Sequence, residues 1–364
     1  YYMQSGDRAH LEAVYRNHRK VRELYGQVPG GMFGADENAR TGYDGPRQAI
    51  ETCGIVEQML SNETLLLITG DPFWADHCEQ VAFDALPAAL TADMRALRYL
   101  TAPNQILSDA ANKSPGVQNR GPMFLMSPHG HRCCQHNWGH GWPYYAQHLW
   151  AATSGNGLAA LMYAPSVVTA YVGQGDGTAV TVTQETHYPF GEQVALRIAV
   201  EEAVAFPLYL RIPGWCAEAQ VAVNGVPCDV KPTGGCYAVI QRTWTDGDEV
   251  VLTLPMEIRV KRWPQNHNFA SVHRGPLTYS LKIGEQYVRQ GGDDQWPTWE
   301  IHPTTPWNFG LVLDDANPAA SLEILEREFP DNDMPFTQDS VPVMLRATAR
   351  KIPNWRKDHL GLVG

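Results

Sequence analysis

Apolar and polar positions divide the chain into two regimes. Leu11, Val14, His18, Val21 and Tyr25 recur at helical spacing, and Gly26 follows as a stop signal. Asp71-Pro72 reads as an N-cap followed by proline at the first helical position. Behind it Trp74, Cys78, Val81, Ala82 and Ala85 form one apolar face, which predicts a core role for Cys78. A further helix is expected from about Trp142-Pro143 through Leu149 and Trp150. Two loop-rich stretches lie between these helices, Pro29 to Pro46 and roughly Thr101 to Gly141. Loops of that length inside a helical region are usually functional or disordered.

From about residue 156 the period falls to two. Val194–Ile198, Leu208–Ile212 and Val250–Leu254 read as strands, with Asn224-Gly225 and Asp246-Gly247-Asp248 as turns. Short strands with regular turns predict a β-sandwich. Another β-rich stretch begins near Ala270 and becomes irregular towards the C-terminus. The expected organisation is helical over 1–155, a β-sandwich over 156–265 and a second β-rich region over 266–364. Trp215 and Trp244 are expected in the sandwich core more readily than on a sugar platform.

The net charge of −11 argues against nucleic acid, whose phosphates call for clustered Lys and Arg. No run of about 18 apolar residues exists, so no membrane span is expected. The seven cysteines include an adjacent pair, a poor disulfide framework, which raises the prior for a metal or a reactive thiol. Cys216, Cys228 and Cys236 fall in the β-region and are expected to be buried or to form one disulfide. Tyr1 opens abruptly in helical sequence, which suggests a piece of a longer protein. Oligomeric state is left open, and the compartment expected is bacterial cytoplasm or periplasm.

Glu51-Thr52-Cys53 and Cys133-Cys134 together offer three thiols and one carboxylate, sufficient for a four-coordinate zinc. Positions i and i+2 share a side in extended backbone and not in a helix. Glu51 and Cys53 therefore suit a site at or just before a helix start, where the dipole favours anions. The adjacent pair Cys133-Cys134 is expected to reach one ion only from an irregular loop. Chemistry alone leaves three readings open: buried apolar cysteines, a closed structural zinc site, or a catalytic one.

These elements resemble the signature of glycoside hydrolase family 127, the β-L-arabinofuranosidase-like family. The resemblance is carried by Glu37, Glu51-Thr52-Cys53 and Cys133-Cys134-Gln135-His136-Asn137. In the β-region it is carried by Leu210-Arg211-Ile212-Pro213-Gly214-Trp215, Val223-Asn224-Gly225, Trp244-Thr245-Asp246-Gly247-Asp248 and Arg274-Gly275-Pro276-Leu277. It implies an (α/α)6 barrel, of which the helical region would be the C-terminal half. It also implies a Zn2+ site of Glu51, Cys53, Cys133 and Cys134, with Cys133 as nucleophile and Glu37 as general acid/base, Asp36 being the rival. The segment from Glu37 to Glu51 is slightly short for the family. Members active on arabinofuranosides typically carry Cys-Cys-Pro-Pro-Asn, and Gln135-His136 replaces the proline pair here.

The expected function is a retaining exo-glycosidase that releases L-arabinofuranose or a related sugar from plant polysaccharide or glycoprotein glycans. One alternative is a hydrolase of an acidic branched pectin sugar of the aceric acid type, with His131, His136 and His140 beside Arg132 as candidate substrate contacts. Another is a non-catalytic, zinc-stabilised carbohydrate-binding protein, which would need no spare acid at Glu37. A Cys133–His peptidase dyad leaves Cys134 and the Glu-x-Cys element without purpose.

Overall fold

The computed structural model describes residues 1–34, 36–37, 45, 48–113, 120–332 and 334–363. Much of the Gly-rich stretch from Pro29 to Pro46, and part of the second predicted loop, lie outside the described residues. Helices α1 (Tyr2–Ser5), α2 (Arg8–Tyr25), α3 (Thr52–Thr69), α4 (Pro72–Gln80), α5 (Leu86–Ala88) and α6 (Arg132–Gln147) make the first part. Among the described residues no helix is long and apolar enough to cross a membrane. The Asp71 side chain accepts from the backbone N–H of Phe73 at 3.0 Å, the cap read from the sequence. Trp74, Cys78, Val81 and Ala82 are buried behind it. A π-helical turn, Val81–Ala85, follows α4. It places Asp84 against the β-region, where it accepts from the Thr278 backbone N–H at 2.7 Å and hydroxyl at 2.6 Å.

The last helix departs from expectation. It begins at Arg132, ten residues before the predicted start, and keeps Pro143 inside. Proline deprives the carbonyl four residues back of its helical partner. That carbonyl belongs to Gly139, which is exposed, so water can serve it. Leu149 and Trp150 lie beyond the helix, and Trp150 opens a strand. Gly141 explains how closely α6 approaches its neighbours: a Cβ there would meet Leu86 Cδ2 at 3.2 Å and Val56 Cγ2 at 3.4 Å.

Two sheets follow. One contains β3 (Trp150–Ala152), β4 (Leu158–Ala160), β8 (Val204–Ile212) and β11 (Cys236–Trp244), in the order β11-β8-β4-β3. The other contains β5 (Ser166–Val172), β6 (Thr178–Thr186), β7 (Gln193–Val200), β9 (Gln220–Val223), β10 (Val226–Pro227) and β12 (Glu249–Thr253), in the order β10-β9-β12-β7-β6-β5. Val194, Leu196 and Ile198 of β7 and Phe206, Leu208 and Leu210 of β8 are buried at every second position. Period two thus points one face of each strand into a shared core, and each fully buried side chain contributes roughly 1.5–3 kcal/mol. Asn224 (φ 52°) and Gly225 (φ 76°) form the two-residue turn between β9 and β10. Trp244 is fully buried and donates to the Phe206 carbonyl at 3.0 Å, whereas Trp215 is half-buried at the edge.

Further strands form a three-stranded sheet, β13 (Ile258–Trp263), β14 (Phe269–Arg274) and β15 (Leu277–Tyr279). The β13–β14 hairpin straddles residue 265, where the expected third region begins. Three two-stranded ladders complete the chain. No disulfide forms among the described cysteines; Cys216 is buried and Cys236 exposed.

Arg211 ties the two parts together. It lies fully buried on β8, paired with Asp76 and Glu79 of α4, and its Nε donates to the Leu161 carbonyl. Tyr188 donates to the other Glu79 oxygen, and the Gly214 N–H to Asp76 at 2.7 Å. Burial works against the guanidinium charge, but Glu79 and Asp76 more than offset it.

Candidate metal and thiolate site

The site begins with a two-residue ladder. In β1 (Ile50–Glu51) and β2 (Leu100–Thr101), Glu51 pairs with Leu100. The Thr52 N–H then donates to the Tyr99 carbonyl at 3.0 Å and its hydroxyl to the Arg98 carbonyl at 2.8 Å. Glu51 is therefore still extended while Cys53 sits in the first turn of α3, the strand-to-helix join that lets both face one point. Glu51 is the N-cap of α3, yet its carboxylate makes no capping hydrogen bond and remains available to the site.

Cys133 and Cys134 also occupy the first turn of a helix, α6, and not the irregular loop expected from their adjacency. Neighbouring side chains on a helix diverge by about 100°. They converge here because the other two donors come from a second helix start placed between them. The four donor atoms of Glu51, Cys53, Cys133 and Cys134 all lie within 4.8 Å of one another. Cys53 Sγ and Cys134 Sγ are 3.4 Å apart.

This geometry suits a metal. Thiolates bound to tetrahedral zinc at about 2.3 Å lie roughly 3.8 Å from each other, and three sulfurs with one carboxylate oxygen are donors that zinc favours. Two helix N-termini point into the cluster and stabilise negative charge there. Without a cation Cys53 and Cys133 resist ionisation. The Cys134 hydrogen bond and then burial push Cys53 up, and burial followed by the Cys53 hydrogen bond pushes Cys133 up. A divalent cation reverses that balance.

The three thiols are not equivalent. Cys134 is fully buried, Cys53 half-buried and Cys133 exposed. Cys134 packs in a small core with Leu97, Leu100, Phe124, Leu360 and Leu362. The C-terminal segment thus returns to brace the back of the site, with the Ile106 N–H donating to the Gly361 carbonyl at 3.1 Å.

Glu37 is exposed with a positive φ of 83°, and it accepts a hydrogen bond from the Tyr99 hydroxyl. Asp36 beside it is buried. Burial raises the Tyr99 pKa, followed by its bond to Glu37 and the nearby charge of Glu51. Tyr99 therefore links the candidate acid/base to a candidate metal ligand. Tyr99 carries little signal in the sequence, being a lone aromatic before a two-residue strand.

His131, the N-cap of α6, is half-buried with its ring 5.1 Å from that of Tyr99, and burial lowers its pKa. His136 and His140 lie farther along α6, their rings 4.5 Å apart. Position 140 is two turns beyond Cys133, about 10 Å along the axis. His131 thus stands beside the cluster, whereas His140 stands well away from it. Asn137 donates to the Cys133 carbonyl at 3.2 Å and braces the first turn. Cys78 is buried beneath α4, as expected of a core residue.

A helical part bearing a thiolate-rich donor cluster, followed by a two-sheet sandwich, defines the class. Family models for the GH127 β-L-arabinofuranosidase catalytic domain and middle domain match residues 1–147 and 157–256. The chain belongs to glycoside hydrolase family 127. A β-L-arabinofuranosidase of that family from Geobacillus stearothermophilus T6 superposes with a TM-score of 0.56 at 19% identity, over 78% of this chain and 52% of that one. A GH127 β-arabinofuranosidase gives 0.53 at 23% identity, over 74% and 45%. A structure described as a glycoside hydrolase gives 0.54 at 21%, over 70% and 49%. The chain spans about half the length of these solved structures. No curated protein matches it in sequence.

Proposed function

We propose that the protein is a retaining, exo-acting glycosidase releasing L-arabinofuranose or a related sugar from plant polysaccharide or glycoprotein glycans. The helical part serves as the C-terminal half of an (α/α)6 barrel. The convergence of Glu51, Cys53, Cys133 and Cys134 within 4.8 Å carries this reading. These residues would hold Zn2+, which when bound keeps thiols ionised at neutral pH.

Cys133 is assigned as nucleophile because it alone of the three thiols is exposed. Its sulfur attacks the anomeric carbon; the C–S bond forms as the glycosidic C–O bond breaks. Glu37 gives its proton to the departing oxygen. Water then enters, Glu37 takes its proton, and the C–S bond breaks to return the thiolate. Two displacements retain configuration. Tyr99 acts as a positioning residue by holding one oxygen of Glu37. The exposed Cys133 and the nearby exposed acid favour catalysis over a closed structural metal site, which needs neither.

The test is to trap the intermediate. An activated aryl L-arabinofuranoside should leave a pentosyl adduct that peptide mapping places on Cys133. Turnover with the adduct on another residue would overturn the assignment.

A further inference from the structure

A second cavity, of about 690 Å³, opens where α2, α4 and β13 meet. Its lining residues are distinct from those of the thiolate cluster, which sits at the starts of α3 and α6. Arg19 projects from α2, and Arg259 and Lys261, two positions apart on β13, share a strand face towards the cavity. Among the described residues these three cations make no ion pair. The one carboxylate in the lining, Asp76, is already paired with Arg211. Arg259 donates to the Gly275 carbonyl at 2.6 Å and feels the charge of Asp76, and Lys261 Nζ lies 3.8 Å from the Trp263 ring centroid. In a chain of net charge −11 the cluster is still a local reversal of sign. Burial depresses Lys261, and Arg22 and Arg259 depress it further, so the site repels its own charges.

The rest of the lining is suited to a ring-shaped ligand. Tyr15, Phe73 and Trp215 contribute aromatic rings to the lining. Trp215 Nε1 and His18 Nε2 are buried in the lining without a hydrogen-bond partner. Buried polar atoms are seldom left so, which marks this wall as polar as well as aromatic. The volume falls within the range of sites that enclose a small molecule, whereas a bare anion would fill only a corner.

We propose that this cavity is a second carbohydrate site, which takes a saccharide bearing a carboxylate, such as a uronic acid residue of a glycan chain. That the ligand is a saccharide rests on the family reading above; that it is anionic rests on the cavity alone. The carboxylate lies among Arg19, Arg259 and Lys261, while the ring packs on Trp215 or Phe73. Such a site would hold an acidic glycan while a different part of it reaches Cys133.

Calorimetric titration with tri-galacturonic acid tests this without turnover. Arg19→Glu and Lys261→Glu, on separate elements and both at exposed positions, should each weaken binding by about tenfold or more. Neutral galactotriose and inorganic phosphate should bind far more weakly, and excess L-arabinose should not displace the acid. Equal affinity in the wild type and both correctly folded variants would overturn the proposal. So would equal binding of the neutral trisaccharide or of phosphate, or displacement by L-arabinose. A protein that binds the acid normally yet hydrolyses no glycoside would overturn the catalytic reading alone.

Discussion

Cys53 Sγ and Cys134 Sγ approach to 3.4 Å although 81 positions separate them in the chain. Each sits in the first turn of its helix, so two helix dipoles and two segments of backbone meet at one point. Four soft or anionic donors gathered there without a cation repel one another once ionised. The arrangement is therefore expected to be metal-dependent.

Metal analysis of the purified protein should find about one zinc per chain. Chelation should lower the melting temperature. Cys53→Ser should lose the metal and reproduce the low melting temperature. Unchanged stability after complete chelation would remove the metal from the account.

Cys133→Ser and Glu37→Gln should fail differently. A serine hydroxyl is not ionised at neutral pH, so Cys133→Ser should lose turnover on every substrate. Glu37→Gln cannot protonate a poor leaving group, but an activated aryl group departs with little help. That variant should show a burst with aryl substrates and a loss of roughly 10²–10⁴-fold on natural glycosides. Full turnover by Glu37→Gln would transfer the role to Asp36.

Arg211→Met should be severely destabilising, by about 3–5 kcal/mol, because it leaves Glu79 buried without its cation. Replacing Arg211 and Glu79 together by apolar residues should restore much of the loss. Denaturant unfolding of the two variants measures both, and equal losses would show that the ion pair itself is not the cause.

Asp84 carries a pH signature. Burial raises its pKa to about 7, partly opposed by the bonds from Thr278. In the unfolded chain its pKa is about 3.9. Between these values the native state keeps a proton that the unfolded state has lost. The contribution of Asp84 to stability is therefore fully present below about pH 4 and is lost as pH rises towards 7. Melting curves of wild type and Asp84→Asn from pH 4 to 8 should diverge across that window and run parallel above it. A constant difference at every pH would contradict the assignment.

Leu362→Ala tests whether the C-terminal segment supports the thiolate site. Leu362 is fully buried against the core that contains Cys134. The substitution should cost about 2–5 kcal/mol. It should also weaken zinc retention, although no atom of Leu362 is a candidate ligand. Normal metal affinity in a destabilised variant would separate the two effects.

Much of the local structure was legible in the sequence. The α2 span, the Asp71 cap, the strands β7, β8 and β12 and the Asn224-Gly225 turn follow from periodicity and backbone preference, which act over a few residues. The donor set of three thiols and a carboxylate was legible as well, because its chemistry depends on residue type. The start of α6 was not, since Gly139, Gly141 and Pro143 are poor helix formers and only packing against Val56 and Leu86 holds them in a helix.

The sequence by itself determined which elements form and which atoms are available for chemistry. Tertiary structure alone decided that Cys133 faces solvent while Cys134 is sealed, that Tyr99 reaches Glu37, and that Leu360 and Leu362 return behind the site. The physical reason is that these relations join segments tens to hundreds of residues apart. Such contacts have no period along the chain; they exist only once strand pairing and helix packing have set its path.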